Sequence, residues 1–336
     1  MTCYGADCGT FNLVVCSRNG EGNFVYKKEV NAFIQFPIDN DFVFQMMKKS
    51  GIPLIEREKV AYALGEAAVN MASTWPTIEL RRPMKDGCVN PYERDAFQIL
   101  SIMVHSLMND VHANDRVYFT VPSNAINKET DADYHRKVLE AIFAAYKDEK
   151  GQGIKAFPIN EGLALVYAEL ASSMYTGFGI SFGAGMVNVC FAMYGKDIFK
   201  FSIANSGDWI DKQAAKATGE SVAFINKEKA KIDLTKEPNG LIERAISMQY
   251  RLMIEKTVSL IKQGLEENVH NKVKLDTPVN IVIAGGTSLP SGFDKLFTET
   301  IKAANLPINV GEVIKPKDAL FSVARGALLA AEASMQ

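Results

Sequence analysis

Hydrophobic and polar residues alternate in two similar stretches of the chain, and glycines interrupt both. Residues 3–16 read CYGADCGTFNLVVC, with apolar positions alternating into a turn at Asp7 and out of it at Asn12. This pattern predicts a strand, a tight turn and a second strand. Residues 177–191 read GFGISFGAGMVNVCF and place Ser181 where the first stretch has Asp7. The chain is therefore predicted to contain the same unit twice.

Helix-like and strand-like periodicities follow one another through the rest of the chain. Apolar residues that recur every three or four positions predict helices at about 92–111, 131–146, 163–171, 241–267, 291–304 and from 318 onwards. Short apolar runs bounded by turn residues predict strands at about 21–35, 60–64, 116–121, 154–159 and 278–284. The inward face of the first long helix is expected to comprise Phe97, Leu100, Val104, Leu107 and Val111.

The turn of the first hairpin has side chains that suit a triphosphate. Its glycine, Gly9, allows backbone amides to approach an anion, and Thr10 adds a hydroxyl. Asp7 can hold a hydrated divalent cation. Aspartate and glycine also fill ordinary turns for conformational reasons alone, so this hairpin by itself allows either interpretation. The second hairpin favours a site, because two such turns facing each other would enclose a phosphate chain in a cleft.

Two further elements place candidate chemistry at strand ends. Glu161 follows the strand at 154–159 and precedes a helix, a position that presents a carboxylate above the carboxyl ends of a sheet. It is a candidate catalytic residue, although a helix cap or a solvated acid would look the same. Gly285 and Gly286 follow the buried strand at 278–284 and allow a flat purine or ribose to lie against the backbone.

Composition narrows the classes of function. The chain has 336 residues, which favours two lobes, and a net charge of −2, which gives no electrostatic footprint for nucleic acid. No apolar run approaches the roughly 20 residues of a membrane span, and no signal peptide is evident, so a cytoplasmic protein is expected. The five cysteines form no C-x-x-C pair and are interpreted as buried small hydrophobic residues.

The order of these motifs resembles the superfamily of actin, heat-shock-chaperone ATPases and sugar kinases, and within it the bacterial actin-like proteins of the MreB and MamK type. Residues 7–12 match the D-x-G-T-x-N form of the first phosphate motif, and 181–188 occupy the place of the second. Residues 160–162 resemble the first connecting motif, 283–287 the adenosine motif and 324–327 the second connecting helix. The resemblance covers residues from about 4 to 332.

This resemblance implies an α/β, two-lobed actin-like ATPase fold in which duplicated ribonuclease-H-like domains surround a nucleotide cleft. The first lobe would comprise residues 1–160 and 316–336, with a small inserted subdomain at about 31–80. The second would comprise residues 161–315, with a small inserted subdomain at about 206–274. Residues 82–87 resemble the segment that leads out of the first of these subdomains.

The resemblance also implies the ligands and the residues that hold them. ATP or GTP would bind with Mg²⁺, which Asp7 would hold through water, while Glu161 would orient the attacking water. The phosphates would contact Gly9, Thr10, Asn12, Gly183, Ala184 and Gly185. The nucleoside would contact Gly207, Asp208, Glu228, Lys231, Gly285, Gly286 and Thr287, with Glu228 and Lys231 in the family's E-x-x-K spacing.

The second phosphate motif departs from the family pattern D-x-G-x-G-T-T. Ser181 replaces the acid that helps hold the metal and the catalytic water, and Met186 and Val187 replace the two hydroxyl residues. Loss of a carboxylate around a metal typically reduces affinity or activity about 10–100-fold. We therefore expect at most a slow ATPase and, if filaments form, long-lived ones.

Three functions are compatible with this pattern. The leading hypothesis is an actin-like cytoskeletal protein that binds ATP and polymerises. The second is a non-polymerising nucleotide-gated regulator or chaperone-like module that acts through a protein adaptor, and the third is a small-molecule kinase. Direct membrane binding is not expected, because the first strand begins almost at Met1, although an apolar hairpin near Met71 to Pro76 remains an alternative.

Overall fold

The computed structural model describes residues 2–335 except 39–40, 50, 52–53, 58, 75–77, 109–110, 113, 148–150, 152, 271–272, 274 and 276. Its strands, in chain order, are β1 (Cys3–Cys8), β2 (Asn12–Arg18), β3 (Phe24–Val30), β4 (Phe33–Pro37), β5 (Leu54–Arg57), β6 (Val60–Leu64), β7 (Met84–Lys85), β8 (Cys88–Val89), β9 (Arg116–Val121), β10 (Lys155–Asn160), β11 (Gly177–Phe182), β12 (Val187–Met193), β13 (Lys196–Ile203), β14 (Val279–Ala284) and β15 (Val310–Ile314).

The helices, again in chain order, are α1 (Asp41–Lys49), α2 (Gly65–Thr74), α3 (Ala96–Leu107), α4 (Ala132–Ala144), α5 (Glu161–Glu169), α6 (Gly207–Thr218), α7 (Val222–Lys229), α8 (Gly240–Asn268), α9 (Phe293–Ala303) and α10 (Ser322–Ala333). Two 3-10 turns cover Ala171–Ser173 and Gly286–Ser288. The last helix therefore begins four residues later than predicted.

The sequence prediction was wrong in two details of α3. The helix ends at Leu107, so Val111 is not part of it. Phe97, expected on the inward face, is 45% exposed, whereas Ile99 and Met103 are buried beside Leu100. In a helix the buried stripe is set by the packing partner as well as by spacing, and α4 covers a neighbouring face.

Two five-stranded sheets have the same topology, which confirms the predicted duplication. The first sheet has the order β10-β9-β1-β2-β3, and the second has β15-β14-β11-β12-β13. In each sheet three consecutive strands are antiparallel, and two later strands add in parallel beside the first of them. Each sheet has its own hydrophobic core. This repeated unit is the architecture of the two-lobed actin-like α/β fold.

Smaller elements join the first sheet. Strands β4, β6 and β5 form a three-stranded antiparallel sheet, and β7 pairs with β8. Residues 71–74, where an apolar hairpin was an alternative, lie in α2, and residues 75–77 lie outside the described residues. The boundaries of the lobes and of their inserted subdomains stay a prediction. Within the described residues, no helix is both long and apolar enough to cross a membrane.

The predicted stripe of the long helix α8 is confirmed as part of the core. Its residues have at most 1% exposure and pack under the second sheet: Ile246, Tyr250, Met253, Thr257, Ile261 and Leu265. Each fully buried aliphatic or aromatic side chain typically contributes about 1.5–3 kcal/mol. Core packing therefore explains this stripe without a partner protein.

Helices α5 and α10 lie between the two sheets, and glycines bring their backbones into contact. A side chain at Gly326 of α10 would overlap the carbonyl oxygen of Ala164 in α5. A side chain at Gly5 of β1 would likewise overlap the backbone of α10 at Ala324. On the other side, a side chain at Gly179 of β11 would overlap the carbonyl oxygen of Gly162. Each neighbouring pair in the series β1, α10, α5 and β11 is thus in direct backbone contact, which only glycine at these positions allows.

His135 of α4 is a fully buried histidine outside the cleft. Its Nδ1 accepts the backbone N–H of Val89 at 3.2 Å. Among the described residues, its Nε2 has no hydrogen-bond partner. Burial lowers the pKa of His135 from 6.5 to about 4, because a charged imidazolium would be desolvated there.

Because the unfolded chain binds this proton more readily, stability should fall as the pH drops from about 6.5 through about 4. In the variant His135→Asn, the amide oxygen can still accept from Val89 but the titration is removed. The free energy of unfolding of the unaltered chain, relative to this variant, should decrease by about 3 kcal/mol between pH 7 and pH 4. Urea titrations at several pH values measure it. If the free energy of unfolding changed with pH in the same way in the unaltered chain and in His135→Asn, burial of His135 would not be the cause. The control variant is His270→Asn, which removes an exposed histidine.

Candidate functional site

The turns of the two long hairpins have the same geometry and face each other. In the first turn the N–H of Gly9 donates to the carbonyl of Asn12 at 3.0 Å. In the second the N–H of Gly183 donates to the carbonyl of Met186 at 2.9 Å. Both turns line one cavity of about 740 Å³ that opens between the lobes. A volume of this size is in the usual range for cofactor sites.

Most of the residues predicted as site residues line this cavity. They are Asp7, Gly9, Thr10, Asn12, Glu161, Gly183, Ala184, Gly185, Asp208, Lys231, Gly285, Gly286 and Thr287. Gly207 and Glu228 are not among the lining residues. Gly207 lies directly behind the lining, since its N–H donates to the carbonyl of Gly183 at 3.1 Å.

Two carboxylates, Asp7 and Glu161, line the cavity beside the hairpin turns. Thr120 donates its hydroxyl to Asp7 Oδ1 at 2.9 Å, and Asn188 Nδ2 donates to Glu161 Oε2 at 2.8 Å. Burial raises the pKa of Asp7, and the hydrogen bond from Thr120 partly opposes this. Burial also raises the pKa of Glu161, with a further increase from the charge of Asp7, while hydrogen bonds from Ser181 and Asn188 oppose it. Asp7 and Glu161 are therefore two buried acids close enough for the charge of one to raise the pKa of the other.

This pair of acids fits a hard divalent cation. Among the described residues, no lysine or arginine forms an ion pair with Asp7 or Glu161, so no side chain there compensates their charge. Oxygen ligands are those that Mg²⁺ prefers, and this ion usually keeps several waters while binding one or two carboxylates and substrate phosphates. Within the described part of the chain, no cluster of three His, Cys, Asp or Glu residues forms a complete protein cage. A hydrated ion held by Asp7 and phosphate matches this arrangement.

A turn from the first lobe lies over both hairpins. The N–H of Gly87 donates to the hydroxyl of Thr10 at 3.1 Å. A side chain at Gly185 would overlap both Gly87 and that hydroxyl. Beside this contact, Arg82 Nη1 lies 3.3 Å from Asp208 Oδ1, which joins the same segment to α6. The segment at 82–87 therefore connects the first hairpin turn, the second hairpin turn and α6.

Lys229 lines the cavity but was not predicted from the sequence as a site residue. It donates to the carbonyl of Gly207 at 2.8 Å and pairs with Asp211 Oδ1 at 2.8 Å. Glu228 instead pairs with the largely exposed Lys231, whose ammonium lies 2.6 Å from Glu228 Oε1. Of the two residues in the E-x-x-K spacing, Lys231 follows the end of α7 and lines the cavity, whereas Glu228 lies within α7 and does not.

The part of the cavity around Gly285 and Gly286 is built from backbone and small side chains. The hydroxyl of Thr287 donates to the carbonyl of Gly183 at 2.8 Å, which ties the double-glycine turn to the second hairpin turn. Gly285 has a φ of 94°, a conformation that glycine adopts freely, and its N–H donates to the carbonyl of Ala319 at 3.0 Å. Asn188, which contacts Glu161, lies inside the motif at 181–188 but was not singled out there.

The architecture is the two-lobed actin-like fold, as comparison with solved structures shows. The structure is similar to a MamK double helical filament, with a TM-score of 0.72 at 17% identity over 98% of both chains. It is also similar to MreB5 of Spiroplasma citri bound to ADP, with a TM-score of 0.65 at 17% identity over 97% of this chain and 94% of that one.

A third similar structure is the ethanolamine utilization protein EutJ from Carboxydothermus hydrogenoformans, with a TM-score of 0.54 at 18% identity over 97% of this chain and 88% of that one. The family model that matches is Volactin, over residues 1–331, and the chain belongs to that family. A search of curated proteins gave no match.

Proposed function

We propose that this protein is a cytoplasmic, actin-like cytoskeletal protein that binds ATP or GTP with Mg²⁺ between its lobes and polymerises. One observation carries the proposal: two glycine turns of equal geometry face each other across a 740 Å³ cavity, with two uncompensated carboxylates at one end. A similar structure is described as a MamK filament, and others as a non-polymerising MamK mutant bound to AMPPNP and MreB5 bound to ADP. These descriptions concern those proteins and support the proposal by analogy.

In the proposed complex the backbone amides of the two turns hold the phosphates. The hydroxyl of Thr10 adds a donor, because it accepts the N–H of Gly87 and keeps its own proton. Asp7 holds the hydrated metal, which supplies charge neutralisation at the phosphates. Glu161 orients the water that attacks the γ-phosphate, a reaction that depends mainly on positioning and electrostatics. Because Ser181 carries no charge, this hydrolysis is slow.

Exposed apolar side chains in two separate segments of the chain support self-association. Met174, Tyr175 and Tyr194 are 64%, 41% and 72% exposed and lie next to the start of β11, whose other end carries the phosphate turn. Val222 and Phe224, at 46% and 39% exposure, belong to α7, whose last residue lines the cleft. A contact between two unlike surfaces of identical chains repeats from chain to chain, and it produces a filament where the rotation between neighbours does not close a ring.

We expect the purified chain to pellet on ultracentrifugation with Mg²⁺ and ATP, at concentrations well above micromolar, and to appear as filaments by negative-stain microscopy. The variant Tyr194→Lys should reduce pelleting, because it places a charge among exposed apolar side chains. Its nucleotide affinity should not change. Tyr92→Lys is the matched control, since Tyr92 is 93% exposed elsewhere on the molecule.

A chain that stays monomeric with ATP, GTP or ADP would contradict polymerisation. If such a monomer still binds nucleotide and co-purifies with a partner protein, the non-polymerising nucleotide-gated regulator becomes the better function.

Restoring an acid in the second phosphate motif tests the slow-hydrolysis part of the proposal. In Ser181→Asp, a further carboxylate would face the metal, and phosphate release should increase about 10–100-fold in Mg²⁺. Ser181→Asn is the control of similar size without the charge and should not accelerate release. Release by the unaltered chain as fast as by a typical bacterial actin would show that Ser181 does not limit the reaction.

A further inference from the structure

A closed ring of polar side chains surrounds the base of Glu161. Asn188 donates to Glu161, Ser202 donates to Asn188 Oδ1 at 2.5 Å, and the N–H of Ser123 donates to Ser202 Oγ at 3.0 Å. Asn160, the residue before Glu161, donates its Nδ2 to Ser123 Oγ at 3.4 Å and closes the ring. The members come from β10, β12, β13 and the loop after β9, so both lobes contribute.

Ser202 is fully buried at the end of β13, and Asn188 is 2% exposed. The Ser202 hydroxyl already accepts the N–H of Ser123, so its own proton points elsewhere. Among the described residues its acceptor is Asn188 Oδ1. A hydroxyl buried in this way is held in one geometry, since an unsatisfied polar group would lose roughly 1–3 kcal/mol.

The bond from Ser202 fixes which end of the Asn188 carboxamide faces the site. With Oδ1 accepting the Ser202 proton, Nδ2 faces Glu161 and acts as a donor. In the reversed amide Nδ2 could donate to the second lone pair of Ser202, but the Ser202 proton would then have no acceptor among the described residues. The reversed amide would place Oδ1 against the Glu161 carboxylate, where two acceptors would repel each other. Ser202 also selects the donor orientation when Glu161 is protonated, a state in which the reversed amide could otherwise accept the carboxyl proton.

Asn160 anchors the same ring to the backbone of α5. Its Oδ1 accepts the N–H groups of Gly162 at 3.0 Å and Leu163 at 3.3 Å, which caps the helix that begins with Glu161. The backbone of Glu161 is thus fixed by the cap, and its carboxylate by Asn188. A fully satisfied buried network of this kind rigidifies its members.

We propose that Ser202 is a positioning residue for nucleotide hydrolysis: its hydroxyl fixes the Asn188 carboxamide, which in turn holds the Glu161 carboxylate in the orientation that aligns the attacking water. This inference rests on the proposed nucleotide-binding function. In the reaction, the water oxygen bonds to the γ-phosphorus while the bond to the β–γ bridging oxygen breaks. The nucleoside diphosphate leaves with that electron pair, and Glu161 takes a proton from the water and passes it to the released phosphate or to solvent.

The test compares Ser202→Ala, Asn188→Ala and the double variant. Single-turnover hydrolysis of ATP with Mg²⁺ gives the rate, and titration with a fluorescent ATP analogue gives the nucleotide Kd. Ser202→Ala should lower the rate about 10-fold, the effect of one lost positioning hydrogen bond, with Kd within about twofold. Asn188→Ala should lower the rate at least as much. The double variant should be no slower than Asn188→Ala, because Ser202 acts through Asn188.

Two further variants separate positioning from folding. Ser202→Cys keeps the volume and a weak donor, and its rate should lie between those of the unaltered chain and Ser202→Ala. Ser322→Ala removes another fully buried hydroxyl, which donates to the carbonyl of Asp318, and should leave the rate unchanged.

The proposal would be overturned if the losses of hydrolysis rate in Ser202→Ala and Asn188→Ala added up in the double variant. An unchanged hydrolysis rate in Ser202→Ala would also overturn it, as would a nucleotide Kd that rises in proportion to the loss of rate. Absence of hydrolysis by the unaltered chain would also overturn it while leaving nucleotide binding intact. Failure of the unaltered chain to bind the analogue would instead refute the proposed function itself.

Discussion

Backbone packing through glycine is the constraint on which the rest of this structure depends. Strand β1 meets α10 at Gly5, α10 meets α5 at Gly326, and α5 meets β11 where Gly162 and Gly179 face each other. A methyl group at any of these positions would overlap a neighbouring backbone atom. Because β1 and β11 each lead into one of the glycine turns that line the cavity, this central stack also fixes how far apart the two turns lie. The width of the cleft therefore follows from contacts that involve no cleft residue.

The stack also explains how two acids come to be buried together. Asp7 is in β1 and Glu161 begins α5, so the packing of these elements brings both carboxylates to one end of the cavity. Their repulsion and desolvation are tolerated because neutral donors, Thr120 and Asn188, face them. Neutral donors leave the charge uncompensated, and a cation with an anionic ligand would then complete the site.

Local patterns predicted the two hairpins, their duplication and the buried stripe of α8, because strand alternation and helical spacing report directly on burial. Local patterns gave wrong or incomplete predictions where contacts between distant segments determine which side chains are buried or paired. Phe97 has the spacing of a buried residue but faces outward. Lys229 was missed because its partner Asp211 lies on another helix, and Ser202 because its ring joins four separate segments. The turn residues could be identified from the sequence. Side chains such as Lys229 and Ser202, whose partners lie on distant segments, could not.

The central claim is that the cavity between the two glycine turns binds a nucleotide through its phosphates. A crystal structure of the protein with Mg²⁺ and a non-hydrolysable ATP analogue tests it most directly. We expect phosphates between the turn at Gly9 and the turn at Gly183, with a water of the metal hydrogen-bonded to Asp7. An analogue bound with its phosphates away from both turns, or no analogue in the cleft at saturating concentration, would contradict it.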